Sequence, residues 1–549
     1  MSQRRAFQVK RRNARFFGTG QKLCAQARKG LITRFMLTVL ALCIAVPVTT
    51  HAVLGGQPTL TQISNAITEM DVTRAAELIS KVKTPSLDLA LERARLAIYF
   101  GDCDGAAAIL RAPDLQATKA GASLNNLATR CAMATAGSLI VEDKPKGLWF
   151  RLQDADDKVL LPYIADVVSK ALTQHARDLG TDLPRPIRVD LVRDLFTLSA
   201  ISGLPLQAAE TTGTVAVARW GRVTLLSPRA APEGYPWQDT VAHELSHLVV
   251  SRATRDNSPL WLQEGLAKHQ ETRWRPVEPF DEQYQPDKIA YVAMATGQQV
   301  GLDQLGSSIA MLPSPQAASI AFAEVTSFVR FWIGVNGATA LRLLLQDLRG
   351  LGPDAVDAGL KSVSGYSLAN WDKRWRHSLR EKFKGQTLPS LDVLLGGGVV
   401  FDKKVSQSVR LSDLLFERGH GVASSERIFP ELEQHGADGF LRFRYARGFA
   451  DEGDQAGTDR ALGELSDLKT PHFGWFALKG YSERLRGKVE AAEHLFALAV
   501  ARHPLSEVVG CQGEWQRRSQ GYAAATSQRP DGERARLLCE AARRWDTIR

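Results

Sequence analysis

The apolar positions of this chain change period several times, and each change marks a different kind of element. Between residues 53 and 140 they recur at helical spacing, with Leu87, Ala90, Leu91, Ala94, Leu96 and Ala97 on one stripe. Asp71–Ser80 and Gly101–Leu110 each run from a turn into an alanine-rich helix. Tyr163–Leu179 reads as an amphipathic helix. The period then shortens: Pro184–Val192 reads as a strand introduced by prolines, and Gly213–Pro228 as two strands around a Trp220-Gly221 turn. Thr240–Val250 returns to helix, with Asp239 or Thr240 as cap and Val241, Ala242, Leu245, Leu248 and Val249 to bury. Leu302–Leu305, Ala321–Trp332, Ala340–Leu348 and Leu368–Trp375 follow as an apolar helical block, with Trp371 and Trp375, one turn apart, expected in the core. Gly396-Gly397-Gly398 marks a joint, and the chain beyond it is helical again.

The central helix carries the chemistry. It contains His243-Glu244-Leu245-Ser246-His247. Side chains four apart on a helix share a face, so both imidazoles can reach one Zn²⁺ at about 2.0–2.1 Å. Glu244, beside the first ligand, can hold a water against the metal as general base. A catalytic zinc needs a third protein ligand and an open position. The longer motif that supplies a third histidine soon after the pair is absent, since Val250 and Ala253 stand at its Gly and His positions. His269 is the next histidine, but Glu264 within Pro259–Ala267 is the better candidate. In a helix it shares a face with Leu260, Trp261 and Ala267, where a carboxylate is costly unless it is paired or ligates a metal. Gly265 beside it lets helices approach closely.

His-Glu-x-x-His followed by Trp261-Leu-x-Glu264-Gly265-Leu-Ala267 resembles the peptidase MA-like branch of the gluzincin zinc metallopeptidases. The resemblance implies His243, His247 and Glu264 as ligands of one zinc, Glu244 as catalytic base and acid, and a peptide or protein substrate. It covers residues 145–385 and implies an α+β, zincin-like domain: a small mixed sheet, then the metal helix and a helical subdomain. In this family the edge strand of the sheet pairs with substrate backbone, and Arg222–Leu226 is assigned to that edge on the resemblance alone. The family also supplies a Tyr or His to the developing oxyanion. The helix where a Tyr is expected, Ala321–Phe331, has Phe322 and Thr326 instead, which leaves Tyr284, Tyr291 and His269 as candidates. Losing one such donor costs about 10²–10³ in rate, so a weakly active enzyme, or a zinc-binding relic serving as a scaffold, is the alternative. A zinc hydrolase acting on a non-peptide bond is a further one. Gly-x-Ser-x-Gly is absent, so no serine nucleophile competes.

Composition changes the picture in three places. At 549 residues, the chain holds several domains. The net charge of +10 is not a nucleic-acid signal, because residues 1–35 hold ten cations and no acid. The other 59 cations balance 59 acids, so no polyanion partner is inferred. Residues 1–52 read as a signal peptide: basic residues, an apolar run from Met36 to Thr49, and Ala52 at a cleavage site. That predicts a periplasmic or secreted protein. An uncleaved leader would anchor it in the membrane, and an organelle transit peptide is the remaining alternative. Cys103, Cys131, Cys511 and Cys539 fall into two pairs, each 28 residues apart, expected as Cys103–Cys131 and Cys511–Cys539 disulfides or as four buried thiols. Residues 53–140 and 399–549 resemble tetratricopeptide-type helix pairs. The signal is weak in the first, whereas in the second Gly480, Gly487, Ala492, Phe496, Ala499 and Pro504 fall at the repeat spacing, with Lys479 and Glu483 off pattern and an earlier copy over Phe443–Leu468. Such repeats imply either a protein-binding groove or a packing scaffold.

Overall fold

The computed structural model describes residues 58–283, 285–352, 356–395, 403–436, 438–468, 472–511 and 532–546. The leader, Tyr284 and the Gly396–Gly398 joint lie outside the described residues. The N-terminal helices start where short polar side chains cap them. Thr59 and Gln62 form a capping box at α1 (Leu60–Thr68), and Asp71 caps α2 (Val72–Lys81). Ser86 caps α3 (Leu87–Phe100), which Gly101 ends in the left-handed conformation. Asp102 caps α4 (Cys103–Leu110), and α5 (Pro113–Gln116) leads to α6 (Lys119–Thr135), which the Cys103–Cys131 disulfide joins to α4.

Five strands follow: β1 (Leu139–Asp143), β2 (Leu148–Leu152), β3 (Ile187–Val192), β4 (Ala216–Arg219) and β5 (Arg222–Leu226), in the order β1-β2-β3-β5-β4. β2, β3 and β5 run parallel, and the outer strands β1 and β4 are antiparallel to their neighbours. Sequence reasoning missed the β1–β2 hairpin. It also put the wrong strand at the edge: Arg222–Leu226 is interior and buried along its length, and β4 forms the edge. The reason is the parallel pairing of β5 with β3, which only the fold sets; the Trp220-Gly221 turn, with φ of 57° and 68°, then lays β4 outside it. Asp190 ties the three central strands, receiving Arg151 of β2 at 2.9 Å and Arg222 of β5 at 3.1 Å.

Strand alternation gives the sheet two apolar faces. Val189, Leu191, Val223 and Leu225 enter the main core with Val241, Leu245 and Leu248. Val192 and Leu226 join Leu198, Ile201 and the Cys103–Cys131 pair. Around this sheet lie α7 (Leu161–Leu179), α8 (Leu195–Ser202), α9 (Leu206–Thr212), α10 (Trp237–Thr254) and α11 (Leu260–Gln270). Then come α12 (Pro286–Ala295), α13 (Pro315–Leu351), α14 (Val356–Ser364), α15 (Leu368–Lys382) and α16 (Leu391–Leu394). Leu302–Leu305 is not helical as expected but a turn between Gly301 and Gly306, both at positive φ, though both leucines are buried. α13 is broken at Gly337 (φ 80°, ψ 169°), which separates the two helices expected there. Its Pro315–Gly350 stretch is long and apolar enough to cross a bilayer, yet Val325, Phe328, Trp332 and Leu344 are core residues. Trp371 and Trp375 are buried, and the Trp375 indole N–H donates to Ser327 at 2.9 Å.

The C-terminal part is built of helices in succession: α17 (Lys403–Glu417), α18 (Gly421–Gln434), α19 (Gly439–Asp451), α20 (Gln455–Leu462), α21 (Phe473–Leu485) and α22 (Val489–Val500). Lys479 is buried and satisfied by the Gly463 carbonyl at 3.1 Å. Cys511–Cys539 joins the end of this part to the helix Gly532–Asp546. The region packs on the chain just before α10: Tyr235 N–H donates to the Arg502 carbonyl at 3.1 Å, and the Trp237 indole to the Val500 carbonyl at 2.8 Å.

Candidate active site

α10 starts earlier than its sequence suggests. Pro236 precedes the first turn, and neither Asp239 nor Thr240 is the cap. Asp239 is instead a buried anchor, taking Arg275 at 2.8 Å and the Trp274 indole N–H at 2.9 Å. Arg275 passes on to Asp281 at 2.8 Å, so the start of α10 is tied to the chain after α11.

One turn further, His243 and His247 turn their rings toward the same point, with Nε2 atoms 3.2 Å apart. α11 brings Glu264 to them, its Oε2 lying 3.7 Å from His243 Nε2 and 3.5 Å from His247 Nε2. Gly265 explains how α11 sits so deep: a Cβ there would meet the Val325 carbonyl of α13 at 2.8 Å, so the close approach is to α13. Tetrahedral ligands with bonds of about 2.0–2.1 Å stand roughly 3.3 Å from one another. The three observed separations fit one such ion.

The donor set fits a cation for a second reason. His243 Nδ1 lies 3.0 Å from the Glu271 carboxylate, and His247 Nδ1 lies 3.2 Å from Gln263 Oε1. A carboxylate only accepts, so Glu271 fixes the His243 proton on Nδ1 and leaves the Nε2 lone pair facing inward. Gln263 does the same for His247. Two lone pairs and a carboxylate then converge on one point, an arrangement that needs a positive charge between them. Without a metal that charge is a proton. Burial opposes it, but the carboxylates of Glu264 and Glu271 raise His243 to about 10. Burial disfavours the charged form of Glu271 too, but Lys268 and His243 win and hold it down at about 2. Lys268 contacts Glu271 at 2.7 Å. Sequence reasoning missed Glu271, Gln263 and Lys268. The one available signal was their placement on or just after α11: Gln263 beside Glu264, Lys268 one turn and Glu271 two turns beyond it.

Glu244 is buried on the face of α10 toward β4, where the Ala218 backbone N–H donates to it. That N–H faces the open side of the edge strand. The pair Arg219–Arg222 closes a two-residue turn, and hydrogen-bonded pairs alternate along an antiparallel ribbon, so Ala218 turns outward. Burial raises the Glu244 carboxyl above its ordinary range, against the pull of His247 and His243.

The other candidates fall elsewhere. Tyr291 packs its ring on Phe383 at 5.3 Å. His269 is driven down to about 4 by burial, with Arg273, Arg330 and Asp178 as its charged surroundings. Phe322 faces the Lys268 ammonium 6.0 Å from its ring centre. Among the described residues, His243, His247 and Glu264 form the one group whose ligand atoms all lie within 4.8 Å of one another. No curated protein matches the chain significantly. Residues 167–381, which carry every part of this site on α10 and α11, match the family model of the Peptidase MA superfamily, which supports a peptidase-like domain over this stretch.

Proposed function

We propose that this chain is a zinc-dependent metallopeptidase of gluzincin type. The observation that carries the reading is the convergence of His243 Nε2, His247 Nε2 and Glu264 on one point, with both histidine tautomers set from behind. His243, His247 and Glu264 would hold the zinc. When bound, the ion supplies Lewis acidity to the scissile carbonyl and to the attacking water. Glu244 takes a proton from that water as its oxygen adds to the carbonyl carbon. It then gives the proton to the leaving nitrogen as the C–N bond breaks. Its burial and its raised carboxyl favour a base that can also return the proton. The peptide would lie along β4, the edge strand of the sheet, beside Glu244. Two disulfides and the leader's pattern support a periplasmic or secreted location. The helical hairpins of the C-terminal part are read as tetratricopeptide-type repeats that brace the peptidase domain.

The test is metal analysis of the purified protein beside Glu264→Ala, with hydrolysis of a peptide library by wild type and Glu244→Gln. About one zinc per chain, lost in Glu264→Ala, with cleavage lost in Glu244→Gln while its zinc stays, is expected. A wild-type protein that stays zinc-free in metal-replete medium, or cleavage that survives Glu244→Gln, refutes the assignment.

A further inference from the structure

A cavity of about 300 Å³ lies one helical turn from the site. Ala218, which donates to Glu244, lines it, as does Leu248, one turn beyond Glu244 on the same face of α10. Ser251 lines it too and touches Gln263, the residue that sets His247. Its far wall is built of Met70, Arg95 and Tyr99. These residues belong to the N-terminal helical region, Met70 in its α1–α2 turn, outside the stretch that matches the peptidase family. Tyr99 meets Trp220 edge to face at 6.2 Å, so the β4–β5 turn packs against the N-terminal helices.

We infer that the N-terminal helices close the cleft at this end, and that the cavity is a terminal subsite for the amino end of a peptide substrate. This rests on the peptidase reading above. The direction follows from β4, which runs from Ala216 toward Trp220 and the wall. Antiparallel pairing is the more stable way to add a strand, and it points the amino end of the peptide at the cavity. The depth follows from volume: a 300 Å³ space is about 7 Å across, the length of roughly two extended residues. The charges on the wall are already answered. Arg95 is held by Glu92 and Ser64 at 2.9 Å, Arg219 by the Ser202 carbonyl and the Trp220 ring, and Asp256 by a hydrogen bond from Ser251 with Arg95 and Arg219 nearby. The subsite therefore selects by length rather than by charge, and the enzyme trims peptides near their amino ends.

The test is equilibrium binding of fluorescent peptides to the zinc-loaded, full-length Glu244→Gln protein, which needs no turnover. The peptides share one cleavable core and carry one, two or six residues before the scissile bond. Binding is expected to hold for one and two residues and to fall at least about tenfold for six. Thr68→Trp, which fills the cavity from the far wall, is expected to weaken the two-residue peptide and spare the one-residue peptide. Equal binding at all lengths, or no binding of any, overturns the terminal subsite. Hydrolysis by the wild type reads the peptidase assignment separately: cleavage that ignores amino-terminal length sinks the subsite alone, and intact peptides with zinc bound sink the peptidase.

Discussion

Glu271→Gln tests whether the residue behind the first histidine, rather than the motif alone, makes the metal centre. In the wild type the carboxylate accepts from His243 Nδ1 at 3.0 Å and from Lys268 at 2.7 Å. A glutamine has one carbonyl oxygen, and the Lys268 ammonium, a pure donor, takes it. The amide NH₂ then faces His243 Nδ1 and favours the tautomer with its proton on Nε2, the ligand atom. Losing such a partner typically lowers metal affinity about 10–100-fold, or about 1.4–2.7 kcal/mol. The assay is zinc competition against a chromophoric chelator, with thermal unfolding of the metal-free proteins as control. The affinity should drop while the metal-free unfolding temperature changes little. Lys268→Met in the same background frees the glutamine oxygen and should restore part of the loss. Unchanged zinc affinity in Glu271→Gln would refute the tautomer argument.

Three further outcomes follow from buried groups and crosslinks. His175 is fully buried, neither ring nitrogen has a hydrogen-bond partner among the described residues, and burial lowers it from 6.5 to about 4. The unfolded chain binds this proton first as pH falls, so stability is full above about 6.5 and declines toward 4, by up to about 3 kcal/mol. His175→Phe should flatten that limb in urea unfolding measured across pH. Arg275→Met leaves Asp239 buried without its cation and should destabilise by about 3–5 kcal/mol, visible as a lower denaturation midpoint at unchanged slope. The Cys103→Ser/Cys131→Ser double variant opens a loop of 28 residues and should lose about 3–4 kcal/mol in the same assay.

The helix that carries His243 and His247 was legible because its signal is local: two histidines at one-turn spacing inside an apolar run. Glu264 was legible from a carboxylate among Leu260, Trp261 and Ala267, where water cannot compensate it. The rest depended on tertiary placement. Glu271 and Gln263 act only because α11 lies at one angle across α10, and nothing in their spacing reports that angle. β4 and β5 are both short and apolar, so which one is interior is settled by the parallel partner β3, thirty or so residues earlier in the chain. The β1–β2 hairpin hides because Leu139–Asp143 and Leu148–Leu152 mix charges with apolar residues, and the Arg151 charge is answered only by Asp190 of a third strand. Asp239 looked like a cap because capping is the commonest local use of an aspartate before a helix, whereas its partners lie on the far side of α11.

The acceptors that hold Tyr235 and Trp237 sit at Arg502 and Val500, near the end of the chain. A ribosome releases the histidines long before it makes those carbonyls. A growing chain therefore carries His243 and His247 on a helix whose first turn still lacks its final moorings. The two ends of the anchoring lie some 260 residues apart in sequence, so the start of α10 is moored only once the last helices exist.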